Sequence, residues 1–147
     1  MSKMKEILIN RPIDAIPLLR GYASKRQEHF GILCLDSGHR VLRKKVLFVG
    51  GDSKCQIWER VIYWEACKAN SAGVILFHNH PAGNCLASVP DRDLTKKLAE
   101  GFNTLGIELL DHIIIGKPWG TETSYFSFLE HGLLRHDKDG AFLTVAN

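Results

Sequence analysis

No apolar run in this chain approaches the roughly 20 residues that a membrane span requires, so no spanning helix is expected. The opening stretch, MSKMKEILIN, carries charge but lacks a long apolar core and a small-residue cleavage site. No secretory signal is therefore expected, and the cytoplasm is the expected compartment. Cysteine is scarce: four residues, at 34, 55, 67 and 85, with no C-x-x-C pair among them. That excludes a cysteine-rich zinc ribbon and reads as free, buried thiols in a reducing cell. Cys85 follows two histidines in a loop, where a nucleophilic role is conceivable, but no basic neighbour activates it in sequence. A large cationic excess is also missing. Net charge is +3 and the pI is about 8.7, below the pI of about 9 with clustered Lys and Arg expected of a nucleic-acid-binding domain. The densest cationic patch, HRVLRKK over residues 39–45, reads first as the polar end of a β-hairpin and second as a phosphate contact. Repeats and low-complexity segments are absent.

What the 147 residues do contain is the composition of one globular domain: 45% apolar and 24% charged. Residues 11–22 suit a short helix interrupted by Pro17 and ended by Gly21. EHFGILCLD (28–36) reads as a central strand, apolar on both faces, and RVLRKKVLFVG returns from the SGH turn as its hairpin partner. Ser53 is a candidate cap for a helix from Lys54 to about Asn70, whose inward positions include Ile57, Trp58, Val61, Ile62, Glu65 and Ala66. GVILF (73–77) is a short, wholly apolar strand, so at least one helix is expected on each face of its sheet. A helix over 93–106 stopped by Gly106, a strand over 107–116 and a strand over 124–130 follow, and the last residues read as a turn and tail. The order predicts an α/β single domain, a mixed β-sheet flanked by helices. Its parts are an N-terminal helical lead-in over 1–27, a main domain over 28–130 and a C-terminal tail over 131–147.

The chemistry gathers in FHNHPAGNCLASVPD, residues 77–91. Side chains two apart on a strand share a face, with Cα atoms about 6.5 Å apart. His78 and His80 can therefore converge on one ion where an apolar strand meets a Gly/Pro loop, the usual place for a ligand in an α/β sheet. Core histidines remain the other reading of the pair. Ser88 and Asp91 extend the pattern to H-x-H-x7-S-x2-D. SVPD before an amphipathic helix also has the form of a capping box with proline in the first turn. The two readings are compatible: a capped first turn can hold Asp91 beside a strand end. Two imidazoles and one carboxylate leave a fourth position for water, as in catalytic zinc sites.

H-x-H-x7-S-x2-D headed by HNHP resembles the JAMM (MPN-plus) metalloprotease motif. HNHPAG, the DRDLTKKL helix, LGIELLDHIIIG and YFSF resemble the RadC-like bacterial branch of that family, in order, over about residues 11–130. The resemblance implies a cytidine-deaminase-like fold and a zinc ion held by His78, His80 and Asp91. It further implies Ser88 as stabiliser of the oxyanion and Glu28 as general base. Without it, Glu28 is an ordinary charge at a strand end. The implied function is a zinc-dependent hydrolase cleaving a peptide or isopeptide bond. The alternative is a RadC-like DNA-repair-associated accessory protein, with nucleic acid as partner. RadC-like proteins usually carry an N-terminal helical region of DNA-binding type, whereas some 27 residues precede the strand here, and Ala82 stands where the family often has serine. Both differences weaken inferences about DNA and substrate but leave the metal set intact.

Three rivals fail on their own requirements. The HNH nuclease motif spreads its residues through a ββα unit, and here the letters are contiguous. A zinc deaminase needs H-x-E and P-C-x-x-C, but His80 occupies the glutamate position. A TIM-barrel amidohydrolase needs about 250 residues. Asp111 and His112 in LDHII are neighbours on a strand, so they face opposite sides and read as structural. His29, His39, His131 and His136 read as ordinary surface or core histidines.

Overall fold

A computed structural model describes residues 6–50, 56–118 and 123–144. Its organising element is a five-stranded mixed sheet in the order β2-β1-β3-β4-β5. The strands are β1 (His29–Leu35), β2 (Val41–Val49), β3 (Gly73–Asn79), β4 (Glu108–Ile115) and β5 (Tyr125–Ser127). β1 pairs antiparallel with both β2 and β3, β3 runs parallel to β4, and β4 is antiparallel to β5. A parallel pair needs a crossover, and the helix α3 (Val89–Leu105) supplies it between β3 and β4.

Every residue of β3 is buried, which accounts for its unbroken apolar composition up to Phe77. Its alternate side chains feed two cores. Val74 and Leu76 join Phe30, Ile32, Ile62, Leu98 and Phe102 on the face covered by α2 (Glu59–Lys68) and α3. Ile75 and Phe77 join Ala15, Ile16, Leu19, Leu33 and Ile113 on the other face. There the cover is a run of short helical turns: Pro12–Ala15 and Arg20–Ser24 as 3-10 turns around α1 (Ile16–Leu19). The expected helix at 11–22 is thus divided into three pieces. The expected mixed sheet, covered on both faces, is what the chain forms.

β1 passes so close to its neighbours that Gly31 has no room for a side chain. A Cβ there would stand 2.3 Å from the Phe77 ring and 2.5 Å from the Lys45 carbonyl oxygen. At the far end of α3, Gly106 takes φ +73° and closes the helix where the sequence predicted a stop.

Some expectations need correction. Ser53 and Lys54 lie outside the described residues; within them the second helix starts at Glu59, because Trp58 is extended (φ −116°, ψ 105°) under the Arg60 guanidinium. Glu65 does hold an inward position, but as a buried carboxylate bonded by Lys45 at 2.8 Å and Lys68 at 3.1 Å. Cys34 is a buried free thiol as expected, but Cys67 is exposed, on the outer face of α2. The helix expected over 93–106 begins earlier, at Val89. Within the expected tail, β6 (Leu134–Asp137) and β7 (Gly140–Leu143) form a hairpin. Leu134 and Ala141 from it enter the core, and Asn103 of α3 bonds both the N–H and the carbonyl of Ala141.

Candidate metal centre

The site forms where the C-terminal end of β3 meets the N-terminus of α3. His78 is the penultimate residue of β3, set between Phe30 of β1 and Ile114 of β4. The ladder runs one residue further, since the His80 N–H donates to the Ile115 carbonyl at 2.9 Å. His78 and His80 therefore keep the period of a strand and share a face, with ring centroids 4.8 Å apart.

Asp91 is delivered by the start of the helix. The Asp91 N–H donates to Ser88 Oγ at 3.1 Å and the Ser88 N–H donates to Asp91 Oδ2 at 2.9 Å, a reciprocal capping box with Pro90 in the first turn. The cap and the site are one arrangement. Held this way, Asp91 directs Oδ1 at His78 Nε2 (3.3 Å) and Oδ2 at His80 Nε2 (3.1 Å), while the two Nε2 atoms are 3.0 Å apart. Three donors on a tetrahedral ion with bonds near 2 Å would stand about 3.3 Å from one another, so the spacing fits a bound cation. Among the described residues these three form a group able to hold a metal ion. The donor chemistry fits as well. His80 Nδ1 faces the Asn84 carbonyl at 2.6 Å; donating its proton there leaves Nε2 with a free lone pair.

The electrostatics follow from the crowding. Burial would raise the Asp91 carboxyl, but the His78 and His80 imidazoles facing it, with the Ser88 N–H, outweigh that and hold the group far below the usual carboxylate range. The Asp91 hydrogen bond raises His80 against its partial burial, and the Glu28 charge adds to the same effect. Exposure opens toward one side: the side chain of His78 is 1% accessible and that of His80 20%.

That side is a cavity of about 500 Å³ whose wall includes Glu28, Ile57, His80, Ser88, Asp91 and Leu94. All of the sequence-predicted site residues thus gather at one place, His78 beneath the cavity and the other four on its wall. Ser88 Oγ accepts the Asp91 N–H, so its own hydroxyl proton stays available. Cys85 is absent from this wall; its thiol faces the Ser124 hydroxyl at 3.2 Å.

Two residues given no place at the site from sequence lie in its surroundings. Asn79, the middle letter of HNH, points to the opposite face from its neighbours. It accepts the His29 N–H at 2.6 Å and donates to the Gln27 carbonyl at 3.0 Å, gripping the chain on either side of Glu28. His112 is the second. It is fully buried, and its Nε2 lies 2.7 Å from His78 Nδ1. Asp111 does face the other way, bonded by the Ser127 hydroxyl and the N–H groups of His112 and Leu129. The pair is split between faces as expected, and His112 makes a contact with His78 that the sequence did not suggest. The signal available was the parallel register of two apolar strands, which sets His112 beside Leu76 and so next to His78 on one face. His29, His39, His131 and His136 stand outside the group, as expected.

An α/β domain whose central strand and crossover helix bring two imidazoles and a carboxylate together belongs to the JAB class of folds. The chain is a member of the RadC-like JAB domain family, whose model matches residues 9–133. It is 39% identical over 123 residues to a UPF0758 protein of Actinobacillus pleuropneumoniae serotype 5b, covering 83% of this chain and 54% of that one. A UPF0758 protein of Listeria innocua serovar 6a is 39% identical over 133 residues, covering 90% and 57%. One of Rubrobacter xylanophilus is 38% identical over 128 residues, covering 86% and 54%. The chain spans about half the length of these curated relatives. No helix among the described residues is long and apolar enough to cross a membrane.

Proposed function

We propose that this chain is a zinc-dependent hydrolase that cleaves a peptide or isopeptide bond with metal-activated water. The observation that carries this reading is the convergence of His78 Nε2, His80 Nε2 and the Asp91 carboxylate, all within 4.8 Å, beside a cavity that Glu28 and Ser88 also line. Two imidazoles and one carboxylate, with a coordination position left for water, make up a hydrolytic zinc set. A zinc ion held there would supply Lewis acidity, bringing the pKa of water down to around 7 and polarising a carbonyl.

The chain's own residues have separate tasks in this reading. Glu28 accepts the proton of the attacking water and returns it to the leaving amine. Ser88 donates its hydroxyl proton to the carbonyl oxygen as negative charge develops. Asp91 and the two histidines would hold the metal. A cytoplasmic setting belongs to the same reading, in keeping with free thiols at Cys34, Cys67 and Cys85.

The competing reading, a nucleic-acid accessory protein, relied on the cations of residues 39–45. Those cations have internal partners. Arg40 pairs with Glu6 and Asp36, Arg43 and Lys45 with Glu65, and Lys44 donates to the Leu18 carbonyl. These pairings offset part of the charge of the patch, which favours the hydrolase reading.

Metal analysis of protein purified without chelator, followed by mass-spectrometric scoring of a peptide and isopeptide library, tests the hydrolase reading. Stoichiometric zinc and cleavage abolished by His78→Ala are expected. Protein that takes up no divalent metal, or whose cleavage survives His78→Ala, would refute it.

A further inference from the structure

His112 comes from β4, far along the chain from the ligands, yet it joins a line of hydrogen bonds running from the first turn of α3 to His78. The line begins at Thr95, itself buried, whose hydroxyl donates to the Asp91 carbonyl at 2.7 Å. This is the i−4 back-bond a helical threonine commonly makes. The same oxygen lies 2.6 Å from His112 Nδ1. A hydroxyl has one proton, and here it is directed at a carbonyl that can only accept. Toward His112 the oxygen must therefore accept, which puts the His112 proton on Nδ1. A neutral His112 then presents a lone pair at Nε2, 2.7 Å from His78 Nδ1. His78 must supply the proton for that contact. Its proton is thus on Nδ1 and its lone pair on Nε2, the atom that faces His80 and Asp91.

We propose that Thr95 and His112 are positioning residues that fix His78 in the Nδ1–H tautomer, the form that can give Nε2 to a metal. The consequence for metal affinity rests on the metal reading above; the tautomer itself does not. Burial makes the arrangement rigid. His112 is stacked on Phe128 with centroids 4.9 Å apart and meets Phe30 edge-on at 5.7 Å, and His78 is stacked on Phe30 at 5.7 Å. Neither ring can turn to find another partner without displacing a phenylalanine. The relay also returns to its origin: Thr95 bonds the carbonyl of Asp91, so the helix turn that supplies one ligand sets the protonation of another. Ligating histidines characteristically use their second nitrogen in this way, and removing such partners typically costs ~10–100-fold in metal affinity.

Two measurements test it. Long-range ¹H–¹⁵N spectra of the imidazoles in zinc-free wild-type protein should show His78 and His112 both as Nδ1–H tautomers. Thr95→Val keeps the shape but removes the acceptor. His112 should then move its proton to Nε2 and donate to His78 Nδ1, driving the His78 proton onto Nε2. Zinc affinity, from competition of Zn²⁺ with a fluorescent chelator, should fall about 10–100-fold. Thr95→Ser, which keeps the hydroxyl, should restore both tautomer and affinity, a rescue that loss of packing alone would not give. Nε2–H on His112 in the wild type, or equal zinc affinity in wild type and Thr95→Val, overturns the proposal. Wild-type protein that binds no zinc defeats the metal reading instead, and the spectra still decide the tautomer.

Discussion

Asn79 accepts the backbone N–H of His29 at 2.6 Å, one rung beyond the last main-chain pair of β1 and β3. Its amide also donates to the Gln27 carbonyl. Both neighbours of Glu28 are thus tied to the strand that carries the two histidines. Asn79→Ala leaves the His29 N–H unpaired in a half-buried place, at about 1–3 kcal/mol of stability. Zinc should still bind, because Asn79 faces away from the metal group. Turnover should fall at least tenfold, since misplacement of a reacting group by about 1 Å costs ~100-fold. Zinc titration alongside steady-state kinetics checks this, and unchanged turnover would remove Asn79 from the machinery.

Glu28→Gln should separate binding from chemistry. The amide occupies the same space on the cavity wall but cannot take a proton. Metal content should match the wild type while turnover is lost, whereas His78→Ala should lose both. A glutamine variant as fast as the wild type would show that Glu28 is not the base.

In the proposed mechanism Ser88 does two jobs, so Ser88→Ala should show two deficits. As the cap of α3 its oxygen is worth about 1 kcal/mol, readable as a lower denaturation midpoint. As an oxyanion donor its loss should slow turnover about 100–1000-fold at saturating zinc. A drop in stability with no drop in turnover would leave Ser88 as a cap alone.

Asp111 lies away from the cavity and tests the fold. Burial pushes its carboxyl up to about 6 against the hydrogen bonds from Ser127, Leu129 and His112 that pull it down. The unfolded value is near 3.9, so the folded state holds this proton more tightly. The contribution to stability is full below about pH 4 and is lost as pH rises through about 6. Asp111→Asn keeps the shape and cannot ionise. The stability of the wild type relative to this variant should therefore decline between those limits, by up to about 3 kcal/mol. Denaturant titrations at stepped pH would show it, and a flat difference would mean that Asp111 ionises freely in the fold.

The ligand set was legible because it obeys local rules. His78 and His80 follow the two-residue period of a strand, and Ser88 and Asp91 follow the spacing of a capping box. Both rules are written over a few residues. The supporting residues obey tertiary rules. His112 meets His78 only through the register of β3 against β4, and Asn79 looks like one more letter of a motif until its opposite face is seen. The two halves of the sheet's cover were readable from strands with no polar face. The start of α2 was not, because Trp58 matches the helical period yet is extended. The β6–β7 hairpin had a signal that went unused: a glycine directly after Lys138-Asp139 suits a tight hairpin, and Gly140 takes φ +118° as β7 begins opposite Asp137.

Because Asp91 both closes the capping box of α3 with Ser88 and completes the group with His78 and His80, uptake of an ion there would be coupled to the winding of that first turn. Val89, 67% exposed, and Leu86, 61% exposed, sit on the segment concerned. Stripped of metal, the turn should fray and offer these side chains to a protease; loaded, it should resist. Susceptibility to cutting around residues 86–92 would thus report occupancy of the centre without any knowledge of the substrate.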